Sequence, residues 1–94
     1  MPQMITDLKF RFNYEFVIKV CYSIKSDTIP IYKYAYITVR SENEYSALMT
    51  AAVFIVNGVR DCDRIDWTDT YVMSCHGYGT SSKVLGSVVL EARF

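Results

Sequence analysis

The stretch from residue 10 to residue 24 alternates with a regularity that leaves the chain little choice. Phe10, Phe12, Tyr14, Phe16, Ile18, Val20, Tyr22 and Ile24 occupy one parity, and Lys9, Arg11, Asn13, Glu15, Lys19, Ser23 and Lys25 the other. A period of two marks a β-strand with one face buried, so the even side chains are expected inward. Residues 25–30 (Lys-Ser-Asp-Thr-Ile-Pro) form a hydrophilic loop, and Pro30 suits a strand's first position, where no ladder donor is required. The next strand carries Ile31, Ala35, Ile37 and Val39 on its odd positions. Ile24 opposite Ile31 sets Ile18 against Ile37, Phe16 against Val39, Cys21 against Tyr34 and Lys19 against Tyr36. Lys33 is the inward misfit, its stem lying on the core while its amine reaches water. Tyr32, Tyr34 and Tyr36 are then expected on the opposite, solvent face. A slip of one residue would invert every side chain.

The period then changes. Ser41-Glu42-Asn43-Glu44 reads as a capping box, and residues 42–57 follow without Gly or Pro before the Asn57-Gly58 stop. Tyr45, Leu48, Met49, Ala52, Ile55 and Val56 make one apolar face at helical spacing, with Ala47, Ala51 and Phe54 behind. Beyond the helix, Ile65, Trp67, Tyr71, Met73 and Cys75 share the inward parity, broken at Asp69 by a bulge or local irregularity. His76–Lys83 reads as a loop. The last strand sends Val84, Val88, Leu90, Ala92 and Phe94 inward. Cys75 opposite Val84 would pair Tyr71 with Val88 and Trp67 with Ala92. The predicted fold is α+β: a single ββαββ domain over 1–94, with one helix packed on one face of a four-stranded antiparallel sheet.

Ten basic and ten acidic residues cancel. That balance argues against a nucleic-acid-coating protein and against an acidic mimic of DNA. Three widely spaced cysteines, Cys21, Cys62 and Cys75, do not make a disulfide framework, and reduced thiols in the cytoplasm are expected. Met1–Asp7 lacks the pattern of a signal peptide, and the apolar run Ala47–Val56 is far short of the ~20 residues that cross a bilayer.

No residue pattern announces a reaction, a metal or a cofactor. Cys62, Cys75 and His76 lack the paired spacing of a zinc site. His76 has no nucleophile and carboxylate in a local motif. Gly77–Lys83 runs into a strand rather than a helix, unlike a phosphate loop. Asp61, Asp63, Asp66 and Asp69 lack the spacing and central glycine of a calcium loop, and read as solvated surface or as an acidic patch for an arginine-rich partner. The tyrosine stripe is the strongest signal, because Tyr combines rigid contact area with a polar tip. Val17, Val72, Leu85 and Val89 fall on the same outward parity and would extend it into a semi-apolar patch.

A strand ending in Tyr36–Arg40, Ser41-Glu42-Asn43-Glu44-Tyr45-Ser46-Ala47 opening a helix, and Arg64–Val72 as a strand together resemble small accessory proteins of bacteriophages and mobile elements. Several anti-CRISPR proteins share this plan of a short antiparallel sheet with one helix in under about a hundred residues. The resemblance is one of size and arrangement and covers most of the chain. It implies a non-catalytic, stoichiometric inhibitor that docks on a host defence complex in the host cytoplasm. The neutral charge departs from members that imitate DNA and favours masking of a protein surface.

The leading expectation is therefore a protein-binding module whose contact is made by Tyr32, Tyr34 and Tyr36, aided by Lys19, Arg40 and Val72. The second is single-stranded nucleic-acid binding, with the tyrosines stacking on bases beside Arg11, Lys19 and Arg40. The third is a structural homodimer joined through the sheet face or through the helix around Ala51 and Phe54.

Overall fold

The computed structural model describes residues 11–81 and 87–94. Met1–Asp7, Phe10, Val84 and Leu85, with the expected Cys75–Val84 pairing, lie outside the described residues. The elements are β1 (Arg11–Ile24), β2 (Ile31–Ser41), α1 (Glu44–Gly58), β3 (Cys62–Ile65), a 3-10 turn (Trp67–Asp69), β4 (Tyr71–Ser81) and β5 (Val88–Arg93). The class is α+β, with an antiparallel sheet of five strands rather than four.

The central hairpin has the expected register: Ile24 faces Ile31, Cys21 faces Tyr34, Lys19 faces Tyr36, Ile18 faces Ile37 and Phe16 faces Val39. Phe16, Ile18, Val20 and Tyr22 of β1 are buried with Ala35, Ile37 and Val39 of β2 and Ala47, Ala51 and Ile55 of α1. Each large side chain so buried contributes roughly 1.5–3 kcal/mol relative to exposure. The helix therefore covers one face of the sheet, and the other face is open.

Two features of the helix differ from expectation. Its N-cap is Asn43, whose Oδ1 accepts from the Ser46 amide at 2.7 Å. Ser41 instead ends β2, buried, and its Oγ accepts from the Ser87 hydroxyl at 2.6 Å. The helix is also rolled by roughly a fifth of a turn, at 3.6 residues per turn. Ala47, Ala51, Ala52 and Ile55 face the sheet, while Tyr45, Met49 and Val56 are exposed. The sheet presents large residues at Phe16, Ile18, Ile37 and Val39. A close-packed interior leaves room opposite them for alanines rather than Tyr or Met.

The second half of the chain departs further. β4 and β5 do not form a hairpin with each other. β4 pairs with β1, setting Tyr71 beside Lys19, and β5 pairs with β2, setting Val88 beside Arg40. They lie on opposite sides of the central hairpin. Residues 76–81, expected as loop, continue β4 against Arg11–Glu15. β3 takes the same edge of β1 at Tyr22–Ile24, and the 3-10 turn fills the gap. There the Asp66 amide donates to the Cys21 carbonyl at 2.8 Å, and the Cys21 amide donates to Thr70 Oγ1 at 3.0 Å. Side chain thus replaces ladder where the edge is broken.

Each broken or bulged point resets parity. Val17 faces Ser74 and Ile18 faces Val72, so Met73 is the extra residue of a bulge. Val72 accordingly packs against the core on the helix side, not on the open face. In β5, Thr38 faces Glu91 and Val39 faces Val89, leaving Leu90 as the extra residue. Val89 and Ala92 pack on the core, whereas Val88, Leu90 and Phe94 are exposed.

Candidate functional site

The open face of the sheet is built by the odd positions of β1 and the even positions of β2. Register alone places Lys19 beside Tyr36, Cys21 beside Tyr34 and Ser23 beside Tyr32. Tyr32, Tyr34 and Tyr36 are 52%, 42% and 40% exposed, a graded stripe with each ring partly supported by its neighbours.

Tyr34 is the fixed member. Its hydroxyl donates to Asp69 Oδ2 at 2.8 Å, and the Lys19 ammonium lies 4.2 Å from its ring centroid. The Asp69 hydrogen bond, then the Asp69 charge, push the Tyr34 hydroxyl up to about 12. Lys19 also lies 5.5 Å from the Tyr71 ring, so one cation sits against two phenol faces. Its charge is spent largely inside the site, holding two rings in place rather than reaching outward.

Arg40 shares the face and is exposed, but it stands four residues from Tyr36, roughly 13 Å along the strand. Val72 does not belong to the surface, for the reason given above. The structure adds aromatic residues that the period had assigned inward: Trp67 is 49% exposed and Tyr71 46%. The turn at Trp67–Asp69 rotates them out, and its signal was legible in Asp66-Trp67-Thr68. Asp66 caps the turn, its Oδ1 accepting from the Thr68 amide at 3.1 Å and from the Thr68 hydroxyl at 2.6 Å.

Toward the other end of the face, Val17, Tyr36, Thr38 and Met73 line an open trough of about 460 Å³ together with Glu15, Glu91 and Arg93. Arg93 Nε and Glu91 Oε2 are 3.1 Å apart and both well solvated, a pair worth little to stability. The trough mixes apolar floor and charged rim, the composition of a contact surface.

Cys21 and Cys62 are poor nucleophiles. Burial, then Asp66 and Asp69, push Cys21 up, and burial, then Asp63, pushes Cys62 up. Among the described residues no three His, Cys, Asp or Glu side chains converge to hold a metal ion, and no helix is long and apolar enough to cross a membrane. No protein-family model matches this chain, and no curated protein or solved structure is significantly similar to it.

Proposed function

We propose that this chain is a non-catalytic protein-binding module whose contact surface is the open face of the sheet, centred on Tyr32, Tyr34 and Tyr36. The observation that carries this reading is the arrangement around Tyr34: a half-exposed ring held by Asp69 and Lys19, with Tyr32, Tyr36, Trp67 and Tyr71 close by. Rigid, partly exposed aromatics lose little entropy on docking and supply much of an interface's free energy. The size and plan of the chain support a cytoplasmic role of the anti-CRISPR kind, a phage-encoded inhibitor that masks a surface of a host defence complex. A Tyr32→Ala/Tyr34→Ala/Tyr36→Ala variant should keep its circular dichroism spectrum. Immobilised wild type should capture a specific protein, identified by mass spectrometry, that the variant does not. Retained capture by a folded variant removes the site. A labelled single-stranded oligonucleotide titrated at two salt concentrations tests the nucleic-acid reading, which is eliminated if nothing shifts at low salt.

A second reading has its own observation. Tyr45, Met49, Val53, Phe54 and Val56 are exposed on α1, whose single charged residue is Glu44. A helix apolar all round is ordinarily buried, and an uncharged face is matched by a second copy of itself. Light scattering after size exclusion should show a dimer that Phe54→Lys converts to monomer. A wild type of monomeric mass removes the reading.

A further inference from the structure

We propose that the pocket lined by Ser23, Tyr32, Arg64, Ile65, Asp66 and Trp67 seats one arginine side chain of the docking protein, an inference that rests on the protein-binding reading above. The pocket lies on the open face, at the end of the tyrosine stripe. Register brings its floor together, since Ser23 faces Tyr32 on one side and Arg64 on the other. Its volume is about 200 Å³, room for one side chain.

Ser23 is 3% exposed and its Oγ has no hydrogen-bond partner among the described residues. A buried hydroxyl in that state is unfavourable, and a ligand donor would relieve it. Asp66 supplies the second acceptor. Its Oδ1 is taken by Thr68, whereas among the described residues Oδ2 accepts only from the Cys21 thiol, at 4.0 Å. The Ser23 hydroxyl and Asp66 Oδ2, in one pocket with the half-exposed rings of Trp67 and Tyr32, suit a planar cation, which donates from its edge and stacks with its face. An ammonium has no planar face to stack on a ring while its hydrogens are directed at the two acceptors. An anion meets Asp61, Asp63, Asp66 and Asp69 against Arg60 and Arg64, and a nucleobase brings phosphates into the same field. Arg64 is exposed and its side chain forms no ion pair among the described residues, so no partner holds it against an incoming cation.

Trp67 is the chain's single tryptophan and reports on the pocket directly. The full chain is titrated with an acetylated, amidated Gly-Arg-Gly tripeptide, with its Lys and Glu counterparts and with a thymidine dinucleotide. Trp67 emission and amide NMR shifts are followed. The arginine peptide should saturate, shift Ser23 and Trp67, and bind at least about five-fold tighter than the lysine peptide. Arg64→Ala, which removes a like charge from the pocket, should tighten the arginine peptide by about two- to five-fold. Asp66→Asn, which can still cap Thr68, should weaken it by a similar factor at an unchanged dichroism spectrum. Absence of saturation, equal binding of the lysine peptide, tighter binding of the glutamate peptide or dinucleotide, or weaker binding by Arg64→Ala overturns the proposal. If the arginine peptide fails while the triple tyrosine variant still loses its captured protein, the pocket falls and the binding face stands.

Discussion

The Tyr34 hydroxyl donates to the Asp69 carboxylate across 35 residues of sequence, tying β2 to the turn that breaks the opposite edge of β1. The proton it shares is held more tightly than a free phenol's. Tyr34 should therefore ionise near pH 12 rather than at its ordinary 10.0. The folded state holds this proton better than the unfolded one, so the bond's contribution is complete below pH 10 and is lost as pH rises toward 12. NMR titration of carbon-labelled tyrosines should show Tyr34 ionising near pH 12. Asp69→Asn should bring it back toward its ordinary 10.0, and a Tyr34 already titrating there in wild type refutes the role given to Asp69.

The roll of α1 makes a sharp contrast between neighbours on the helix. Ala51 is fully buried against the sheet, whereas Met49 is 39% exposed. Ala51→Leu should cost about 1–3 kcal/mol by overpacking, and Met49→Ser should stay within about 0.5 kcal/mol. Urea denaturation of both variants checks the pair. The reverse order would restore the face built on Tyr45, Met49 and Val56.

The central hairpin was readable because burial and period agree there over a long run, and Ile24 opposite Ile31 allows only one register. The rest was not readable for three physical reasons. First, α1 is apolar around most of its circumference, so spacing does not say which side meets the sheet. The size match of Ala47 and Ala51 to the large residues beneath them decides it. Second, Met73 and Leu90 are bulged, and parity changes across each bulge, so Val72 and Val89, just before the extra residue, face the core. Third, neighbours in sequence were paired as a hairpin, whereas β4 and β5 take opposite sides of the central hairpin. The tyrosine stripe was legible because it lies on the readable strands. Trp67 and Tyr71 escaped the period because they lie within and just after the break, which Asp69 announced without defining its extent.

Val72 tests the corrected parity. It packs on the core beside Ile18, which is completely buried. Val72→Ala should cost about 1–2 kcal/mol at its intermediate exposure, and Ile18→Ala about 2–5 kcal/mol. Neither position touches the open face, so both variants, assayed below their melting temperatures, should capture the same protein as wild type. Loss of capture by a folded Val72→Ala would return Val72 to the surface.

Ser23 separates stability from recognition. Its hydroxyl is desolvated without a partner among the described residues, and an apolar residue of nearly the same shape removes that penalty. Ser23→Ala should therefore raise stability by about 1 kcal/mol. For a domain of this size that raises the melting temperature by about 4–8 °C. Residues held at a cost to the fold are characteristic of functional surfaces, where stability and activity trade against each other. The same variant should bind the arginine tripeptide more weakly, since one of the pocket's two acceptors is gone. A Ser23→Ala chain that melts lower than wild type would show that the hydroxyl is satisfied in solution, and that the strand, not a partner, is what it serves.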